Sequence, residues 1–405
     1  MPAGRSVRAV PTVSQTAVGF PGRVRRHRAA ADLTWSAACA LGFGSIVLVG
    51  LGDGGYYASS WRWAGLALGA VAGIQLLVRR GVGLSRLELV SFVSLAALGA
   101  WMGLSSLWGI EGTEALREAE RCALYTAGLG AFLVVVRPST TRALLAGVLC
   151  GAVLLAIVGL GDRLFTPQAL DPYQGSLLKE PVGYANALGI LMALAVVLGL
   201  GLLLEARRRS LQIALAAATS MSAGALALTS SRGAWLATLV GLGVLVAFRF
   251  GSTRVVSAIA AGTVVLVLLV LPRVSFGDRP AYWRVAVADA SERTLLGSGA
   301  GSFDDYWLEH RPVPAYVRDA HSVYLETAAE LGVVGLLLLL CALGMPLVTA
   351  ARTRDRRLFA PAAAAYSAFL VHAGLDWDWE MPVTTLAGLA CGAALLASGR
   401  GLSRS

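Results

Sequence analysis

Two short stretches of this 405-residue chain combine residue types that chemistry needs. The first is Thr229-Ser230-Ser231-Arg232-Gly233-Ala234-Trp235, where hydroxyls suited to capping a helix stand directly before an arginine. A cation at the positive end of a helix dipole is locally unfavourable unless an anion sits there. Free backbone N–H groups beside a guanidinium make a phosphate site. An arginine reaching out to a membrane interface explains the same residues equally well. The second stretch, 318–335, sets His321 ahead of a helix, with Asp319 and Ser322 as caps or partners and Tyr324 and Leu325 at i+3 and i+4. Glu326 and Glu330 form their own i, i+4 pair, and two carboxylates entering an apolar helix should face a cavity or a cation. A histidine in that position can move a proton near neutral pH. A histidine held in a helix cap would look the same in sequence.

Other segments are weaker. Residues 282–290 read as a short helix that brings Arg284 near an interface, while Arg279, Arg293, Arg311 and Arg318 read as solvated or paired with nearby acids. Gly297-Ser298-Gly299-Ala300-Gly301-Ser302-Phe303 has the outline of a dinucleotide fingerprint but follows no strand, so it is read as a tight loop. Asp376-Trp377-Asp378-Trp379-Glu380 suits either a sugar surface or an interfacial aromatic belt, and the belt is preferred. His372 fits a structural hydrogen bond as well as a chemical role.

These residues are carried by a chain that is 56% hydrophobic and 14% charged, with a mean hydropathy of +0.68. Soluble domains have about 25% charged residues, so a soluble enzyme, a disordered tail and a nucleic-acid module are excluded. The net charge of +10 lies in arginine clusters between apolar runs, not on one solvated face. A spanning helix needs about 20 apolar residues, and twelve runs qualify. They lie near 33–52, 63–78, 87–108, 120–136, 142–161, 185–204, 211–229, 232–248, 255–272, 326–350, 358–375 and 381–398. The expected organisation is a basic cytoplasmic segment (1–32), one transmembrane domain (33–398) and a cytoplasmic tail (399–405). Within that domain, outer loops fall at 162–184 and 273–325, and the longer one precedes the tenth span.

With the N-terminus inside, the inner segments hold 22 arginines against four acids, a net +18. The remainder holds 12 basic and 20 acidic residues, a net −8. That asymmetry follows the positive-inside rule and places both termini in the cytoplasm. The arginine-rich start before an apolar run is read as an uncleaved first helix and not as a signal peptide. Cys39, Cys122, Cys150, Cys341 and Cys391 fall in predicted spans without a CxxC pair, and His27, His310, His321 and His372 lack metal-ligand spacing among themselves.

Four segments, in order, resemble the O-antigen ligase and polymerase superfamily of bacterial membrane glycosyltransferases. They are Gly183-Tyr184-Ala185-Asn186-Ala187-Leu188-Gly189, then 229–234, then Trp283-Arg284 with 297–303, then His321 to Glu326 leading to Glu330-Leu331-Gly332-Val333-Val334-Gly335. The likeness covers roughly residues 180–380. It implies an all-α, C-type glycosyltransferase-like fold and a site on the outer face of the cytoplasmic membrane. The donor would be a glycan on undecaprenyl diphosphate, and transfer would go to a glycan, lipid or protein hydroxyl without a nucleotide, metal or other cofactor. On that reading Arg232 and Arg284 hold the diphosphate, and His321 is the base or a cation steadying the phosphates. Tyr184, Asn186, Ser231, Tyr324 and Glu330 shape the substrate cavity, and the displacement inverts the anomeric carbon. A transporter or lipid flippase of similar span number is the principal alternative. It should carry ionisable residues at mid-membrane, whereas the confident spans here are nearly charge-free at their centres.

Overall fold

A computed structural model describes residues 21–79, 81–110, 112–166, 170–251, 262, 277–353 and 359–400. The first helices are α1 (Pro21–Gly50), α2 (Ala58–Val78), α3 (Arg86–Ser105) and α4 (Gly112–Val135). Next come α5 (Thr141–Phe165), α6 (Ala185–Leu203), α7 (Arg209–Thr229) and α8 (Arg232–Phe250). After residue 277 two shorter helices, α9 (Arg279–Glu292) and α10 (Phe303–His310), precede α11 (Val323–Arg352), α12 (Ala360–Ala373) and α13 (Pro382–Ser398). Among the described residues there is no β-strand, only an isolated bridge between Asp171 and Gly175.

Among the described residues eight helices are long and apolar enough to cross a membrane: α1 from Asp32, α2, α3, α5, α6, α7, α8 and α11. The protein is thus an all-α, multi-pass membrane protein, and the expected twelve spans are matched in part. The fourth expected span, 120–136, is helical as part of α4, whose first turns carry Glu114, Arg117, Glu118, Glu120 and Arg121. The eleventh and twelfth are apolar helices of 14 and 17 residues, shorter than the other eight. The ninth, 255–272, lies outside the described residues apart from residue 262, as do most of segment 1–32 and residues 401–405 of the tail.

Apolarity alone does not say which helix is central. α6 has no charge and is apolar on every side, as a helix buried all round must be. Its span is 83% buried, against 17% for α2 and 22% for α7. On those two, Leu66, Ile74, Leu77, Leu211 and Ile213 are exposed, which suits a surface facing lipid tails as apolar as leucine. α12 and α13 pack beside α6, and α13 is buried along nearly its whole length. Around this centre α1 runs along α5, α7 along α6, α8 along α12, and α3 between α4 and α11.

The polar ties collect at two ends of the bundle. At one end Arg79 donates to the Val134 carbonyl at 2.7 Å, Arg400 pairs with Glu88 at 2.6 Å and Arg142 with Glu205 at 2.7 Å. The other end carries the loops. There the Ala300 N–H donates to Ser105 Oγ at 3.0 Å, and Arg318 reaches Glu114 at 3.5 Å. α11 is bent at this end, where Gly332 has φ 64° and ψ −166°, a conformation essentially restricted to glycine.

Candidate active site

The turn from α7 to α8 is built as its sequence suggests. Ser230 closes α7 in the left-handed conformation (φ 51°), and Ser231 caps α8 by accepting from the Ala234 N–H at 3.3 Å. The turn can lie against α6 because residue 189 is glycine, where a Cβ would stand 2.8 Å from the Ser231 Cβ and 3.0 Å from Thr229 Oγ1. Arg232 is therefore the first residue of α8, and its side chain is exposed. It lines a cavity of about 240 Å³ together with Asn186, Ser230, Gly233, Arg279 and Asp376.

Asp376 organises that cavity. Its Oδ2 accepts from Arg279 at 2.7 Å and from Asn186 Nδ2 at 2.6 Å, and its Oδ1 accepts from the Tyr184 hydroxyl at 3.1 Å. Asn186 also donates to the Tyr184 oxygen at 2.7 Å. Burial works against the Asp376 charge, but Arg279, together with His321, His372 and the Trp377 N–H, holds the carboxyl below its ordinary range. Asn186 lies in the cavity wall, and Tyr184 reaches the same carboxylate from beside it. Arg279 was read as solvated or paired with a nearby acid, and its partner comes instead from the loop between α12 and α13.

His321 sits just before α11 with φ 55°. Its Nδ1 lies 3.0 Å from the Asp319 carbonyl. A carbonyl only accepts, so Nδ1 carries the proton in the neutral ring and Nε2 keeps a lone pair. Burial lowers the His321 pKa; Asp376 opposes that shift but does not cancel it. The ring packs on Tyr282 at 5.2 Å and on Trp377 at 6.2 Å, and Trp377 in turn packs on Tyr184 at 4.7 Å. A neutral imidazole thus stands one aromatic ring away from the Asp376 cavity.

Other expected site residues have different partners. Arg284 points from the exposed face of α9, its Nε donating to the Pro280 carbonyl at 3.2 Å, while Tyr282, Val285, Ala286 and Asp289 form the buried face. Tyr324 donates to the Leu370 carbonyl at 2.9 Å and ties α11 to α12. Glu330 accepts from the N–H groups of Gly301 (2.9 Å) and Phe303 (3.0 Å), so it caps α10 and the glycine loop. That loop is a tight one, as expected. Gly299 N–H donates to the Glu330 carbonyl at 2.8 Å and Ser298 N–H to that of Ala329 at 3.1 Å, beside the bend at Gly332.

Segment 376–380 turns inward, so the preference for an interfacial belt does not describe it. Asp376, Asp378, Trp379 and Glu380 are all buried. Asp378 pairs with His372 Nδ1 at 2.7 Å, and His372 Nε2 lies 3.2 Å from where a Cβ on Gly233 would stand. Glu380 pairs with Arg121 of α4. Carboxylate oxygens of Asp319, Glu326 and Glu380 come within 4.8 Å of one another, an arrangement a cation can use and one that sequence spacing hid. Here the Arg121 guanidinium already meets Glu380, and the Ala320 N–H donates to Glu326 at 2.6 Å. Burial pushes the Asp319 carboxyl up to about 7, with Arg121 opposing.

Arg232, Arg279 and His321 thus border one polar region at the loop end of the bundle, and one family comparison takes in all three. Residues 217–340 match the O-antigen ligase family. The match runs from within α7 to within α11, under a third of the chain, and includes Arg232, Arg279, Arg284, His321 and Glu330. It supports a place for this region in the O-antigen ligase and polymerase superfamily. Together with the multi-pass helical architecture it supports a ligase- or polymerase-like membrane enzyme in general terms. Asn186, Tyr184 and Asp376 lie outside the matched residues and are joined to them by the fold alone. No curated protein matches the chain.

Proposed function

We propose that the protein transfers a glycan from an undecaprenyl-diphosphate-linked donor to an acceptor hydroxyl on the outer face of the bacterial cytoplasmic membrane. The observation that carries this reading is the convergence of Arg232 and Arg279 on one cavity, with His321 one aromatic ring away. The acceptor oxygen attacks the anomeric carbon as its proton passes to His321 Nε2. The bond from that carbon to the phosphate oxygen breaks, and the diphosphate leaves with the electron pair. Single displacement by one base inverts the anomeric centre. Guanidinium groups fixed beforehand in a partly dry cavity stabilise the leaving charge better than water does.

Arg232 and Arg279 are assigned to the diphosphate within the cavity, and Arg284, on the exposed face of α9, to its approach. Asp376, Asn186 and Tyr184 hold Arg279 in place. The test is purified protein with a defined lipid-diphosphate donor. Arg232→Ala and His321→Ala should insert and fold normally yet form transfer product at least about 10²-fold more slowly than the parent. Product at the parent's rate from both variants would overturn the assignment.

A further inference from the structure

The end of the bundle away from the loops holds a cavity of about 580 Å³ that the transfer reaction does not use. Ser85, Arg86 and Leu87 at the start of α3, Thr349 and Arg352 at the end of α11, and Leu396 at the end of α13 line it. Each of these stands in the first or last turn of its helix or caps it, so the cavity lies at the depth where spanning helices leave hydrocarbon for headgroups. Arg86 and Arg352 differ from the other arginines of this end. Arg79, Arg142 and Arg400 are tied to the Val134 carbonyl, Glu205 and Glu88. Glu88 is fully buried and also accepts from the Ser85 N–H at 2.7 Å, so it is closed to Arg86. Among the described residues neither Arg86 nor Arg352 has a carboxylate partner. Two guanidinium groups without an acid favour an anion, and phosphate oxygens match their fork of donors. The Ser85 hydroxyl accepts from the Glu88 N–H and keeps its own proton for a further acceptor.

What carries the phosphate follows from the apolar part of the wall. Leu84, next to Ser85, lines this cavity and also an apolar groove of about 590 Å³ between α2, α3 and α4. Small residues, Gly99, Ala127 and Gly130 among them, open the groove. From Ala119 to Val134 it follows α4 for about 22 Å, at 1.5 Å per residue. That exceeds the roughly 15 Å of hydrocarbon in one leaflet, so an acyl chain fits along it. Val134, whose carbonyl holds Arg79, sets one end of the groove at the level of the arginine ties.

We propose that this cavity binds the phosphate of an anionic glycerophospholipid from the leaflet at that end, with Arg86 and Arg352 on the phosphate and one acyl chain entering the groove past Leu84. A zwitterionic headgroup would bring no net charge to two guanidinium groups, which selects the anionic class. Bound in this way the lipid joins the ends of α3, α11 and α13, and α11 is the helix whose far end follows His321. The site does not depend on the transferase reading.

The test titrates the full chain in detergent with phosphatidylglycerol and with phosphatidylcholine of the same acyl chains, read by native mass spectrometry. The parent should prefer phosphatidylglycerol, and equal affinity for the two lipids overturns the proposal. Arg86 and Arg352 are both exposed, so substituting them leaves the core untouched. A basic residue at a membrane surface contributes about fivefold in affinity for an anionic lipid, so Arg86→Gln combined with Arg352→Gln should weaken phosphatidylglycerol about 25-fold and leave phosphatidylcholine unchanged. Arg207→Gln with Arg208→Gln removes the same charge from the exposed turn between α6 and α7 at this end and should bind as the parent does. Equal losses in the two double variants would reduce the effect to diffuse charge and overturn the site. Ala127→Phe, in the groove, should also weaken phosphatidylglycerol, and an unchanged affinity would remove the acyl chain from the groove and overturn the proposal as stated. Glycerol 3-phosphate in excess should leave the bound lipid in place. Its displacement would make this a site for free phosphate and overturn the lipid assignment.

Discussion

Arg279 and Asp376 stand 97 residues apart in the chain and 2.7 Å apart in space. Their side chains are largely buried, 21% and 4% exposed, and removing one partner of a buried pair typically costs about 3–5 kcal/mol. Asp376→Ala is expected to lower the thermal midpoint in detergent and to abolish transfer. Arg279→Ala should do the same, and the double variant should be less destabilised than the two single losses added together. Additive losses in a double-mutant cycle would show that the two side chains do not act as a pair.

For His321 the expectation concerns both rate and pH. Removing a general base costs about 10²- to 10⁴-fold, so His321→Gln should lose turnover in that range while donor binding persists. Burial lowers the His321 pKa, which keeps the ring neutral to more acid pH than an ordinary imidazole. Turnover should therefore rise with pH through a midpoint below about 6.5 and then level off. Asp376 raises the His321 pKa, so any activity left in Asp376→Asn should show a midpoint displaced further to acid. A midpoint above the ordinary histidine value would contradict the assignment.

The two arginines assigned by sequence should separate on measurement. Arg232 lines the cavity, and its loss should reduce turnover by about 10²-fold or more, the usual effect of removing a donor to developing charge. Arg284 lies on the open face of α9, so Arg284→Ala should weaken donor binding and leave acceptor binding at the parent level. Equal donor affinity in Arg284→Ala and parent would remove that residue from the diphosphate.

Two glycines should be intolerant for different reasons. A Cβ at Gly332 would stand 2.3 Å from the Leu295 carbonyl oxygen, on a backbone that side chains rarely adopt. At Gly189 it would press the Ser231 Cβ at 2.8 Å without any backbone strain. Gly332→Ala is expected to destabilise by more than about 3 kcal/mol, and Gly189→Ala to displace the 229–231 turn and cut activity with a smaller loss of stability. Thermal scanning with activity at a permissive temperature distinguishes the two. A Gly332→Ala protein as stable as the parent would show that the bend is dispensable.

Orientation is open to direct labelling. Tyr173 and Tyr316 are exposed in loops at the same end of the bundle as Asp376, and Arg207 lies in the turn between α6 and α7 at the opposite end. Cysteines at 173 and 316 should react with an impermeant maleimide in intact spheroplasts, whereas one at 207 should react only after lysis. The reverse pattern would place the Asp376 cavity in the cytoplasm and remove the proposed donor.

Much of the chain was legible because its physics is local. Apolar runs gave the spanning helices, and the Ser231 cap, the 279–292 helix and the tight glycine loop follow from neighbours within a few residues. What depended on distant partners was not legible. Arg279 reads as a surface arginine until Asp376 is set beside it, and Asp376, Asp378 and Glu380 look like an interfacial belt until Arg279, His372 and Arg121 are found opposite them. Glu330 has the type and spacing of a cavity carboxylate, yet it caps a loop whose approach only the bend at Gly332 permits. The expected spans at α4, α12 and α13, which are more charged or shorter than the other eight, rest on apolarity, which cannot separate burial in protein from exposure to lipid.

The glycine loop seated on α11 bears on the order in which the protein is assembled. Where α11 bends, the carbonyls of Ala329 and Glu330 accept from the loop, and the Val333 N–H donates to Thr294. A hydrocarbon environment supplies no substitute for such partners, so a helix entering the bilayer before the loop has docked is driven to close these bonds within itself and run straight. Docking then exchanges internal bonds for loop bonds. The loop end, with the proposed site, would be the last part to mature, and a protein arrested before docking would be inserted and helical but without that site.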